Sequence, residues 1–125
     1  MDNLFRVICA AQWASTVASG VVPRCPSDQR SNCVHLNFRG DVEAVANLYF
    51  NPEEAPVALE VRRRDMEPDL TFSPATQAKP FCQACLARSN ILLSWVVAVH
   101  RLPCVQRNGV SRFEFVGMPE QVVPT

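Results

Sequence analysis

The order of apolar patterns along the chain predicts an α+β domain with a largely antiparallel sheet. Three observations carry that prediction. Segments of strand composition alternate with segments of helical period in the order β-α-β-α-β, ahead of a long polar stretch. An Asn108-Gly109 pair then separates two further strand-like runs, and both residues tolerate the positive φ of the tight turn that joins antiparallel strands. Finally, the 125 residues are 48% hydrophobic and 19% charged, enough for a core without disulfides or metal, so residues 1–125 are expected to form a single domain.

Each element follows from a local pattern. Residues 4–9 (LFRVIC) have strand composition, and residues 10–19 (AAQWASTVAS) suit a helix with Trp13 and Val17 four apart on one face, stopped by Gly20. Residues 21–32 hold two prolines and several turn formers, which predicts a surface loop. Residues 33–37 (CVHLN) form the next strand. Asp41 can cap a helix whose apolar face is Val42, Val45, Ala46 and Tyr49, closed by Asn51-Pro52. Residues 56–62 are a strand, residues 63–80 a proline-rich loop, residues 91–102 a central strand, and residues 110–116 the returning strand of the hairpin. In that last strand Phe113 and Phe115 alternate with Arg112 and Glu114, giving one buried and one wet face.

Charge excludes little. Basic and acidic residues balance at 12 each, so nucleic acid is disfavoured as a partner and no anionic membrane is expected. The longest apolar stretch, residues 91–99, is too short to cross a bilayer. The start, Met1-Asp2-Asn3-Leu4-Phe5-Arg6, lacks the pattern of a secretory signal, so the expectation is a cytoplasmic protein with its six cysteines as thiols.

Candidate chemistry falls into three groups. Cys82-x2-Cys85 followed by His100-x3-Cys104 imitates a zinc-finger spacing, but His100 and Cys104 close a strand, where four residues span about 13 Å, too far for one ion. No metal is therefore expected, although a metal or redox role for Cys82 and Cys85 stays open as an alternative. His35 and Asn37 lie two apart on one strand and so share a face that can bind a ligand. Arg62-Arg63-Arg64, joined by Arg39 or Arg88, could grip a pyrophosphate. No phosphate-cradling glycine loop, nucleophile elbow or His-Glu-x-x-His motif is present.

The chain also resembles a known family over residues 1–103. Phe5-Arg6-Val7-Ile8 with Ala11-Gln12-Trp13-Ala14, then Cys33-Val34-His35-Leu36-Asn37, Pro56 to Met66, and Ile91 to Pro103 with Trp95 are similar to motifs of the small bacterial and plant proteins grouped as domain of unknown function family 952. Residues 104–125 would add a hairpin strand and tail. The resemblance implies an ADP-ribosyltransferase-like fold, a split antiparallel β-core with two or more flanking helices. It further implies NAD or an ADP-ribosyl nucleotide as ligand, bound by His35, Asn37, Arg6, Arg62, Ser73 and Gln83, with His35 on the ribose and Arg6 or Arg62 on phosphate. Any activity would be transfer or hydrolysis at the ribosyl C1′. Asn37, Ser73 and Gln83 stand where that family has groups of other chemistry, and none of them is a general base near neutral pH, so the catalytic residues are unassigned. Glu60 would help only by facing the cleft. The alternative is a catalytically silent module that binds an unidentified protein.

Overall fold

In a computed structural model the chain builds a seven-stranded sheet in the order β4-β5-β2-β1-β3-β6-β9, with every neighbouring pair antiparallel, and a separate two-stranded hairpin. The structure describes residues 2–87, 89–116 and 119–122, the last four by backbone alone. The strands are β1 Leu4–Ile8, β2 Val34–Asn37, β3 Val57–Val61, β4 Leu70–Ser73, β5 Gln83–Leu86, β6 Val96–Arg101, β7 Cys104–Arg107, β8 Val110–Phe113 and β9 Pro119–Val122. The α-helices are α1 Ala10–Ser19, α2 Pro26–Ser31 and α3 Val42–Tyr49. The predicted α+β class with an antiparallel core is what the chain forms.

β1 occupies the middle of the sheet and is buried along its whole length, which is why its sequence is apolar at both parities apart from Arg6. Side chains on its two faces enter two cores. Leu4 and Ile8 join Val34, Leu36, Leu59, Val61, Ala84 and Leu86 on one face, where Trp13 of α1 packs. Phe5 and Val7 join Ala58 on the other, under Val42, Val45 and Ala46 of α3 and Phe113 of the hairpin. The hairpin turn sits at Asn108 (φ 53°) and Gly109 (φ 78°), as the sequence predicts.

Several elements differ from the expectation. In α1 the residue that turns inward beside Trp13 is Thr16, whose hydroxyl donates to the Gln12 carbonyl at 2.8 Å, while Val17 is exposed. The expected loop at residues 21–32 contains α2, begun by Pro26 at its first position. The chain enters α3 through a 3-10 turn at Arg39–Asp41, so Asp41 stands at the N-cap without a side-chain cap bond, and Tyr49 is exposed. The expected loop at residues 63–80 contains β4, an edge strand too exposed to show an apolar pattern. Residues 91–102 are not one central strand. Leu93–Trp95 is a 3-10 turn, and β6, shorter and off-centre, begins at Val96 with a register shift opposite Glu60/Val61.

Candidate metal centre

The site lies on the sheet face that carries the second core, at the end formed by β2, β5 and β4. Alternation explains it. Val34, Leu36, Ala84 and Leu86 turn into the first core, so Cys33, His35, Gln83 and Cys85 must face the other way. The register then lays out two rows across three strands. Thr71, Cys85 and His35 are cross-strand partners in one row, and Ser73, Gln83 and Asn37 in the next. Cys33 lies diagonally across from Cys85.

Cys33, His35 and Cys85 each bring a donor atom within 4.8 Å of the other two. Tetrahedral zinc needs thiolate sulfurs and an imidazole nitrogen roughly 3.5 to 3.8 Å apart, from bond lengths of about 2.3 and 2.0 Å. The three donors are therefore within side-chain adjustment of a metal-binding arrangement. This corrects the expectation of no metal, because the fold assembles a cluster able to coordinate one. Spacing along the chain could not reveal the cluster, because Cys85 meets His35 only through the pairing of β2 with β5.

Asp28 of α2 organises the site from behind. Its side chain is fully buried and its carboxylate accepts from four groups. The Arg6 guanidinium donates to Oδ1 at 3.2 Å and Oδ2 at 2.5 Å, and the Cys25 N–H donates to Oδ2 at 3.0 Å. The His35 N–H and ring Nδ1 both meet Oδ1 at 3.0 Å. Burial raises the carboxyl pKa, but the hydrogen bond and charge of Arg6 and the two backbone N–H groups outweigh it and hold Asp28 well below the usual carboxylate range. An ionised carboxylate only accepts, so Nδ1 carries a proton, which leaves Nε2 of the neutral ring as the nitrogen that can bind an ion. A carboxylate behind a histidine is the usual partner of a ligating imidazole. Burial pushes the Cys85 thiol up to about 12, and the adjacent Cys33 adds to the effect while Lys79 opposes it. Without an ion Cys85 is therefore held as a thiol, and binding a metal there must expel its proton.

A cleft of about 550 Å³ opens over Cys33, His35 and Cys85. Its walls carry Thr71, Ser73, Thr76, Lys79 and Gln83. Of the six residues expected to bind a nucleotide, His35, Ser73 and Gln83 line this cleft, and Asn37 ends the second row with a buried Nδ2 that has no partner among the described residues. Arg6 and Arg62 are elsewhere. Arg6 is buried against Asp28 and the His35 carbonyl (2.7 Å), and Arg62 pairs with Asp65 at 2.5 Å and reaches the Ser94 carbonyl at 3.2 Å. Arg39 lies over the Phe5 ring and Arg63 over Phe72. Arg88 lies outside the described residues. Glu60 does not line the cleft, being bound by Asn3 at 2.8 Å and His100 at 2.7 Å.

The finger-like cysteine pattern is dispersed. His100 lies on β6, four strands from β5 and so about 19 Å away across the sheet. Cys82 is exposed and three residues from Cys85 on extended chain, roughly 10 Å. All six cysteines are free. Sequence reasoning missed Cys33 and Asp28. The same two-residue alternation that pairs His35 with Asn37 also pairs it with Cys33, and Pro26 followed by an acidic residue within the same first turn is a helix start.

No protein-family profile and no curated protein matches the chain. Among solved structures it is similar to the crystal structure of protein CC0527 from Caulobacter crescentus, at 20% identity and a TM-score of 0.71, covering 88% of this chain and 93% of that one. The solution NMR structure of CC0527 is similar at 20% identity and a TM-score of 0.63, covering 82% and 85%. At that identity the likeness shows a shared fold. Among the described residues no helix is long and apolar enough to cross a membrane.

Proposed function

We propose that the protein binds a zinc-class ion through Cys33, His35 and Cys85, leaving a fourth coordination position open to the cleft. The convergence of these three donors within 4.8 Å carries this reading. Thiolate and imidazole together select zinc over the hard cations, which prefer oxygen. Structural zinc sites close the shell with four protein ligands, whereas three ligands and an open face belong to sites where the ion meets a small molecule. The test is cobalt substitution. Co²⁺ added to the metal-free protein should give an intense near-ultraviolet thiolate-to-metal band and visible bands of tetrahedral strength, displaced by one equivalent of Zn²⁺. Cys85→Ser and His35→Gln should weaken both. Absence of the thiolate band in the folded parent chain would refute the reading.

A second reading keeps a nucleotide in the same cleft, supported by the presence there of His35, Ser73 and Gln83. It draws on the resemblance to the ADP-ribosyltransferase-like family. Against it, the two arginines expected on phosphate, Arg6 and Arg62, are engaged away from the cleft. NAD or ADP-ribose at a hundred times its dissociation constant would add about 2.7 kcal/mol of stability. A thermal shift with either, lost in His35→Ala, is the expected result, and no shift at millimolar ligand sinks it.

A further inference from the structure

We infer that the open position of the metal centre takes a small organic monocarboxylate, held by the ion at one oxygen and by Lys79 and the Ser73 and Gln83 side chains around it. This rests on the metal reading above and extends it to the ligand. The first ground is charge. A divalent ion balanced by two thiolates is neutral, and Asp28 and Arg6 behind it cancel. Among the described residues lining the cleft, Lys79 is the single cation and no carboxylate is present. Among the described residues one positive charge therefore remains, which a monoanion neutralises and a doubly charged phosphate overfills.

The second ground is position. Lys79 is exposed, and a turn closed by two hydrogen bonds fixes its backbone beside the cleft. The Thr76 N–H donates to the Lys79 carbonyl at 2.8 Å, and the Lys79 N–H donates to Thr76 Oγ1 at 3.1 Å. The ammonium reaches Gln83 Oε1 at 3.5 Å. Gln83 is next but one to Cys85 on the same face of β5, and Ser73 is its cross-strand partner. Ser73 and Gln83 thus lie in the row next to Cys85, and the Lys79 ammonium meets that row at Gln83.

The third ground is the character of the walls. Hydroxyls and an amide dominate around Thr71, Ser73, Thr76 and Gln83, which suits a carboxylate flanked by further polar groups. Phe81 offers an apolar surface for a short carbon chain.

The test uses the cobalt-loaded full chain, with sodium acetate and sodium lactate as probes and acetamide and inorganic phosphate as controls. The carboxylates should shift the visible cobalt bands saturably at millimolar concentration while the thiolate band persists, and acetamide should not. Lys79→Gln should weaken carboxylate binding roughly tenfold, as expected for losing a hydrogen bond to a charged group, with the anion-free cobalt spectrum unchanged. Lys79→Arg should restore much of it. A thiolate band with no carboxylate response overturns this inference and leaves the metal site standing. So does equal affinity in Lys79→Gln, or phosphate acting at lower concentration than either carboxylate. A folded parent chain with no thiolate band removes the metal site and this inference together.

Discussion

Replacing Asp28 by asparagine keeps the shape of the side chain and removes its charge, so it isolates what the buried carboxylate does. In the parent, Oδ2 accepts from Arg6 Nη2 at 2.5 Å and from the Cys25 N–H at 3.0 Å, and Oδ1 accepts from Arg6 and twice from His35. With the amide oxygen kept toward His35, the new NH2 faces two donors. Both Oδ2 bonds are lost, and the Arg6 charge stays buried at 7% exposure without a counter-ion. Breaking a buried pair by removing one partner costs about 3–5 kcal/mol. For a domain of this size that corresponds to a fall in Tm of roughly 10–20 °C. The assay is urea denaturation alongside thermal melting, on Asp28→Asn, Arg6→Met and the double variant. The double variant should cost clearly less than the sum of the singles, because the second change removes the stranded charge. Zinc affinity of Asp28→Asn should also fall by about 10–100-fold, the usual consequence of losing the partner behind a ligating histidine. A loss below about 1 kcal/mol with additive singles would refute the reasoning, since it would mean that the pair is solvated.

Other outcomes follow from the same structure. Zinc at a hundred times its dissociation constant should stabilise the parent by about 2.7 kcal/mol, and a chelator should reverse this, both read by thermal melting. Zinc affinity should rise with pH, because the buried Cys85 thiol resists ionisation and must lose its proton, and competition with a chromophoric chelator across pH 6–8 reads the slope. Burial raises the Glu60 pKa, but the hydrogen bonds from Asn3 and His100 and the charges of His100 and Arg39 outweigh it and hold it below the ordinary glutamate value. A lowered folded pKa gives stability that is present above that ordinary value and lost as pH falls through the folded one. Acid titration of stability should therefore be shallower in Glu60→Gln than in the parent. Gly109→Ala places a side chain at φ 78° and should cost roughly 1 kcal/mol in chemical denaturation, with the metal site untouched.

The parts of the fold visible in the sequence are those whose pattern is local. β1 and β2 show as apolar runs, α1 is bounded by Gly20, and the hairpin is announced by Asn108-Gly109. β4 and β5 are four residues each, and β4 is mostly exposed, so neither carries an apolar signature. The site depends on those two hidden strands. His35 stands out in the sequence because it is a polar group within an apolar run. Its partners do not, because Cys85 becomes a neighbour only when residue 85 pairs with residue 35. Asp28 sits between prolines and polar residues that suggest a loop, and nothing local says that its carboxylate is buried. The arginines mislead for the opposite reason. Arg6 looks free in the sequence but is engaged by Asp28, a contact 22 positions away.

β1 and β2 are in register at a single pair, Phe5 and Asn37, and beyond it the Arg6 side chain with Asp28 takes the place that further ladder bonds would fill. A ladder can fray one rung at a time, whereas an ion pair cannot be half separated inside a protein. Opening the seam between these strands therefore means exposing both charges at once. The amide proton of His35, bonded to Asp28 instead of to a strand, should exchange with solvent as slowly as the deepest protons of the sheet. The weakest stretch of strand pairing would then be among the last places in the molecule to open.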